Sequence, residues 1–278
     1  MARAALIISG EMRRAYNCAQ SAKNLSQICD VDVFLHTWNQ ITYSARQKDL
    51  KLNIREDNLT HESLISEIKP KAHLVESKDA LDHIIDEVKE YSDIDKESEK
   101  GKLWNKEIAD RIKYTNHTCL SQFYSHRKSY DIFKEYRNKN NIKYDFVIKT
   151  RSDILITPKP GGVNLILESL CVFDKDPDNN PEISENHASK NIKLIRCPWI
   201  YSTHRGEVIM EYALMTGRPD AFDLLYEDFP YSLPKIKDNG DDNSHTSFFE
   251  HLRSKKIYLR CTVPFFYNLD HNPLEMAK

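Results

Sequence analysis

The sequence predicts an α/β protein with a mixed, mainly parallel sheet flanked by helices. It reads as a single domain over residues 1–278, with a helical insertion at 78–140. Two observations carry this. Ala4 to Ile8, a Ser9-Gly10 turn, a helical stretch from Met12 to Ile28 and a second strand from Val31 to Leu35 form one βαβ-sized unit, and such units build parallel sheets. Farther along, Phe146, Val147 and Ile148 form a short apolar run of the kind that fits a strand covered on both faces.

The remaining elements follow in order. Residues 40–60 read as irregular, His61 to Lys69 as a short helix stopped by Pro70, and His73 to Glu76 as a third strand. Leu81, Ile84, Ile85 and Val88 mark an amphipathic helix, Ser92 to Lys102 a solvated turn, and Trp104, Ile108 and Ile112 another helical stripe. From Thr118 to Asn138, Leu120, Phe123, Arg127, Tyr130 and Phe133 recur on one helical face. Arg127 on that face either snorkels to water or reaches a polar pocket floored by the strand of residues 144–150. Ile154 to Thr157 extends that strand until Pro158. Leu170 to Phe173 and Ile192 to Cys197 read as strands around a polar loop, Asp174 to Asn191. Val208 to Met215 reads as one strand ending at Gly217, and Pro219 to Phe229 as a helix. A turn at Asp238 to Asn243, a helix from Ser244 to Ser254 and a strand region from Ile257 to Phe266 complete the chain.

Composition excludes several function classes. With 40 Lys and Arg against 42 Asp and Glu, the formal net charge of -2 is no electrostatic footprint for nucleic acid, though a local basic pocket remains open. No apolar run is long enough to cross a bilayer, and Ala4 to Ile8 is shorter than a signal-peptide core. The six cysteines show no CxxC pair, so free thiols in a reducing cytoplasm are expected. The eleven histidines form no HxxxH or HExxH set, and neither GxSxG nor GxxxxGK[ST] occurs.

The chemistry concentrates where strands end. Lys149, Thr150, Arg151, Ser152 and Asp153 follow the Phe146 run, and open α/β sheets bind ligands beyond the carboxyl ends of their strands. Lys149 and Arg151 share one face of the strand, with Thr150 on the other. Two such cations need anions, either protein carboxylates or a phosphate. Ser9 and Gly10 form either an ordinary turn or a close approach for a nucleotide, with Arg13 or Arg14 neutralising phosphate. His36 at the second strand end is a satisfied structural group or a pocket residue. Thr37 and Trp38 line the same site, or Trp38 caps the core. Asp220, Asp241, Asp242 and His245 lie near late helix starts, where a plain N-cap or dipole partner is the alternative to an active group. His204-Arg205-Gly206-Glu207 reads as a loop salt bridge or an acceptor contact.

Three strings together resemble a known family: Ile7-Ile8-Ser9-Gly10-Glu11-Met12-Arg13-Arg14, Val33-Phe34-Leu35-His36-Thr37-Trp38, and Tyr144 to Ile154. They are similar to motifs of bacterial and viral surface-polysaccharide glycosyltransferases of the GT-A fold, a Rossmann-like architecture. The resemblance implies transfer of a sugar from a nucleotide-diphosphate-sugar donor to a glycan or lipid-linked glycan. It also implies a cytoplasmic enzyme, with peripheral association at the inner face of a membrane. It places Tyr144 to Ile154 where such enzymes carry their DxD motif, making Asp153 the ligand of Mn²⁺ or Mg²⁺. Here Arg151 stands in the first DxD position, where it would hold ribose or phosphate oxygens. The late carboxylates Asp241 and Asp242, with His245, occupy the region where the catalytic base lies. The rival readings are a nucleotidyl or phosphoryl transferase on a similar sheet, and a non-catalytic interaction protein using the helical insert.

Overall fold

The computed structural model describes residues 1–12, 15–39, 61–77, 79–80, 118–170, 193–198, 200–202, 208–210, 213–227, 244–261 and 263–268. In chain order its elements are β1 (Arg3–Ser9), α1 (Ala15–Ser26), β2 (Asp30–Trp38), α2 (His61–Ile68), β3 (Ala72–Glu76), α3 (Thr118–Lys139), β4 (Phe146–Arg151), β5 (Leu155–Pro158) and α4 (Gly162–Ser169). Then come β6 (Leu194–Cys197), β7 (Ile200–Ser202), β8 (Val208–Met210), β9 (Leu214–Gly217), α5 (Pro219–Leu225), α6 (Ser244–Ser254), β10 (Tyr258–Cys261) and β11 (Phe265–Asn268).

Seven strands form the central sheet in the order β10-β6-β9-β4-β1-β2-β3. The neighbours β4-β1-β2-β3 all pair in parallel, β9 runs antiparallel to both β4 and β6, and β10 is parallel to β6. The mainly parallel, mixed sheet is therefore as the sequence predicts. Helices cover both faces. Ala4, Leu6, Ile8, Leu35 and Ile148 pack with Cys18 and Leu25 of α1 and Ile166 of α4. Ala5, Ile7, Phe34, Val147 and Met215 pack with Phe123, Tyr130 and Phe133 of α3, Phe222 of α5 and Phe248 of α6. Alternate residues of one strand thus feed two cores, which is why β1 and β4 read as continuous apolar runs.

Of the expected α3 stripe, Phe123, Tyr130 and Phe133 are buried, while the side chain of Leu120 lies outside the described residues. Phe133 packs edge-on against Phe34, with ring centroids 5.2 Å apart, and Tyr130 stacks on Tyr226 at 4.8 Å. Asp223 then locks α3 to α5, accepting from the Tyr130 hydroxyl at 2.6 Å and from both ends of the Arg137 guanidinium at 3.1 and 2.9 Å.

Several expectations are corrected. Ile154 to Thr157 does not extend β4: β5 leaves the sheet and pairs antiparallel with β11. The segment after Pro160 forms α4, with Gly161 at φ 104° before its first turn, and Leu170 closes this helix rather than starting a strand. The single strand expected over Val208 to Met215 is two, β8 pairing only with β7 and β9 entering the central sheet. Ile257 to Phe266 likewise divides between two sheets. These segments are apolar and β-prone, but sheet membership depends on partners distant in sequence. Gly217 shows the constraint: a Cβ there would lie 2.8 Å from the Leu194 carbonyl oxygen. Of the expected insertion over 78–140, residues 81–117 lie outside the described residues, and so do the loops at 174–191, 204–207 and 238–243.

Candidate functional site

Strand order reverses at β1: β2 and β3 continue to one side, and β4 lies on the other. In doubly wound sheets such a switch point opens a crevice beyond the carboxyl ends of the flanking strands. The register aligns Ser9 with His36 on β2 and with Arg151 on β4. Aligned residues of parallel neighbours face the same way. Ser9, His36 and Arg151 therefore share the α3 face, joined one pleat back by Lys149 opposite Ile7.

Beneath α3 these side chains form two linked arrangements. The first is a buried chain of hydrogen bonds. Glu76 Oε2 lies 2.8 Å from His36 Nε2, His36 Nδ1 lies 2.7 Å from Ser125 Oγ, and Ser125 Oγ accepts from the Gly10 N–H at 2.7 Å. A carboxylate only accepts, so Nε2 carries the imidazole proton and Nδ1 accepts from the Ser125 hydroxyl. Burial lowers the His36 pKa against the opposing pull of Glu76, so the ring is kept neutral; the hydrogen bond from His36 in turn lowers Glu76. Trp38 packs edge-on to His36 with centroids 5.0 Å apart and stacks on Tyr124 at 5.5 Å. It is buried and holds the imidazole in place. Gly10 has φ +103°, a conformation that favours glycine, and its N–H is committed to Ser125. The turn thus presents the Ser9 side chain rather than the Gly10 amide.

The second arrangement is cationic. Lys149, 1% exposed, hydrogen-bonds to Nε2 of His126, itself 1% exposed. Burial, then Lys149 and Arg151, push the His126 pKa well below that of a free imidazole, so it is a neutral acceptor. Arg151 forms a forked pair with Asp153, Nε to Oδ1 at 2.9 Å and Nη2 to Oδ2 at 2.5 Å. Ser9 Oγ is buried with no hydrogen-bond partner among the described residues.

Helix α1 fixes the loop that carries Asp153. Asn17 Nδ2 donates to the Asp153 carbonyl at 3.2 Å, Cys18 Sγ to the Ser152 carbonyl at 3.5 Å and Ser21 Oγ to the Ile154 carbonyl at 3.4 Å. Asn24 Nδ2 donates to the Ile156 carbonyl at 2.9 Å, and the Ser152 hydroxyl bonds the Glu11 carbonyl. Burial pushes the Cys18 thiol far up, so it is no nucleophile here.

Of the residues singled out from sequence, Ser9, Gly10, His36, Trp38, Lys149, Arg151 and Asp153 meet at this strand-end cluster. Thr37 is buried with its hydroxyl 3.4 Å from the Trp38 carbonyl, and alternation puts it on the opposite face. Arg127 takes neither of the two placements expected for it. Its Nε donates to both oxygens of Asp131 at 2.9 Å, and its Nη1 donates to the Tyr226 carbonyl, so it caps α5. Asp220 pairs with Lys193 at the surface. Arg13, Arg14, Asp241 and Asp242 lie outside the described residues, as does the side chain of His245. Sequence reasoning missed Glu76, Tyr124, Ser125 and His126. Helical phase carried a signal for His126, three residues after Phe123 and four before Tyr130, and none for Ser125, which lies off that stripe.

Asp153 is the residue for which a divalent cation was expected, and its surroundings do not suit one. Both carboxylate oxygens are held by the Arg151 guanidinium, and a second cation, Lys149, lies one pleat below. Among the described residues no three His, Cys, Asp or Glu side chains converge as a metal set. No helix among them is long and apolar enough to cross a membrane, and Cys18, Cys29 and Cys197 are buried. No protein-family model matches the chain, and no curated protein matches it either.

Proposed function

We propose that this chain is a nucleotide-sugar-dependent glycosyltransferase of the GT-A type, acting on a glycan or lipid-linked glycan. One observation supports this above the others. Three segments far apart in sequence, Ser9-Gly10, His36 to Trp38 and Lys149 to Asp153, meet at the switch point of a mainly parallel sheet. These are the segments whose sequences resemble that family.

In this reading the donor diphosphate lies across the ends of β1 and β4. Transfer breaks the bond between the anomeric carbon and the diphosphate oxygen, which leaves with the electron pair. The acceptor hydroxyl oxygen forms the new bond, and its proton passes to a base, for which Asp241, Asp242 and His245 are the candidates. Lys149 and Arg151 stabilise the charge that develops on the leaving diphosphate, and the fixed loop keeps them in place throughout. The Ser9 hydroxyl donates to a phosphate oxygen.

The test is a thermal-shift panel of UDP, GDP, CDP, dTDP and their sugars, followed by product analysis. A ligand at a hundredfold excess over its Kd stabilises the fold by about 2.7 kcal/mol. One nucleotide should raise Tm, and its sugar conjugate should be turned over with release of nucleoside diphosphate or monophosphate. Release of pyrophosphate would assign the chain to nucleotidyl transfer, and silence across the panel would leave a binding protein.

A further inference from the structure

Resting on that donor-site reading, we infer that the site holds its diphosphate directly on Arg151, backed by the buried charge of Lys149, with no divalent cation between protein and phosphate, and that Asp153 is the counter-ion of Arg151. The geometry carries this. A carboxylate that serves a metal must offer it an oxygen, and hard divalent cations are recruited by such carboxylates together with phosphate oxygens. Here both oxygens of Asp153 accept from one guanidinium in a forked pair, and Arg151 is the residue that the resemblance sets in the first DxD position. Asp153 also sits on a loop pinned through the carbonyls of Ser152, Asp153 and Ile154 by Cys18, Asn17 and Ser21 of α1.

The charge count on this face of β4 points the same way. Lys149 and Arg151 place two cations beside Asp153 on this face, and His126 beneath them is neutral. A dication entering there approaches both cations, whereas a diphosphate meets a guanidinium donor with a second positive charge behind it. The buried Ser9 hydroxyl, aligned with Arg151 across β1 and β4, supplies a neutral donor to the same oxygens. Arg151 is the reachable member, with its side chain 30% exposed against 12% for Asp153. An incoming phosphate therefore competes with Asp153 for the guanidinium.

Calorimetric titration of the full chain with inorganic pyrophosphate and with the four nucleoside diphosphates, in EDTA and in Mg²⁺ or Mn²⁺, tests this. The expected result is an affinity in EDTA within about threefold of that with metal. Arg151→Gln should weaken binding about tenfold or more, the loss of a charge-assisted hydrogen bond. Asp153→Asn should leave metal-free binding unchanged or tighten it, because the competing carboxylate charge is gone. Binding that requires the cation, or a tenfold loss in Asp153→Asn, overturns the inference while leaving the transferase reading intact. The EDTA comparison is made on the wild-type protein, so it stands even if a variant does not fold. Metal-free, Arg151-dependent binding of pyrophosphate without affinity for any nucleotide sustains the anion site and removes the transferase reading. Absence of binding in every condition overturns both.

Discussion

The two ends of the same three strands, β1, β2 and β4, are built on opposite electrostatic plans. At the amino-terminal end opposite charges are paired around Asp32. Asp32 accepts from Arg3 Nε at 2.9 Å, from Arg3 Nη2 at 2.7 Å and from the Tyr144 hydroxyl at 2.8 Å, and Lys71 stands 3.7 Å from its other oxygen. The Arg3 N–H donates to Asp145 at 2.8 Å. At the carboxyl-terminal end, about six residues along, Lys149 and Arg151 stand beside Asp153, Glu76 is spent on His36, two imidazoles are held neutral, and a buried hydroxyl has no partner among the described residues. An arrangement that only had to be stable would resemble the first end. The second sets neutral imidazoles and a hydroxyl without a described partner beside two cations, at the strand ends where open α/β sheets bind ligands.

The largest effect expected from this contrast is at the matched end. Asp32→Ala leaves Arg3 and Tyr144 without their acceptor and should lower stability by about 3 kcal/mol. It should leave the diphosphate affinity of the folded protein unchanged, as denaturant unfolding and titration would show. A parallel loss of ligand binding would mean that the two ends are coupled and that the contrast is false.

Acid should act on the other end. His36 faces Glu76 from β3 and Ser125 and Lys128 from α3; His126 faces Lys149 and Arg151 from β4 and His36 from β2. Both have folded pKa values below that of an unfolded histidine. The unfolded chain therefore takes up more protons as pH drops below about 6.5, and the folded state loses stability, by at most about 1.4 kcal/mol per pH unit for each imidazole. Glu76, with a lowered pKa, adds its own loss only below about pH 4.3. Unfolding midpoints should fall from pH 7 to pH 5; a flat profile would show that neither ring is held neutral.

The smallest effect is the most diagnostic. Ser9→Ala removes a buried hydroxyl with no described partner, so it should leave stability unchanged or raise it by up to about 1 kcal/mol, while diphosphate binding weakens severalfold. A loss of more than about 1 kcal/mol would make Ser9 a structural residue and transfer it to the matched plan.

Much of the site was legible because its parts lie at strand ends, and strand ends announce themselves. Apolar runs at Ala4 to Ile8, Val31 to Leu35 and Phe146 to Ile148 stop abruptly at Ser9, His36 and Lys149, which fixes the faces as well as the boundaries. Arg127 was harder. Its helical phase is that of Phe123 and Tyr130, but the groups that take its guanidinium, Asp131 and the end of α5, depend on how α5 docks. The forked pair of Arg151 and Asp153 was equally hidden. Two residues apart in sequence, they suggested a metal ligand beside a phosphate ligand, and only the path of the loop under α1 turned them toward each other.

By itself the sequence determined the local periods: the strands that begin β1, β2 and β4, the long stripe of α3, and the sudden change from apolar to charged that marks a site. These follow from neighbours within a few residues, where propensity and alternation act directly. Only the tertiary structure decided which strands share a sheet, which helix supplies Ser125 and His126, and which oxygens the cations hold. Those depend on contacts between segments up to about 140 residues apart, as between α1 and the loop after β4. The burial that neutralises two histidines exists only once those segments have met.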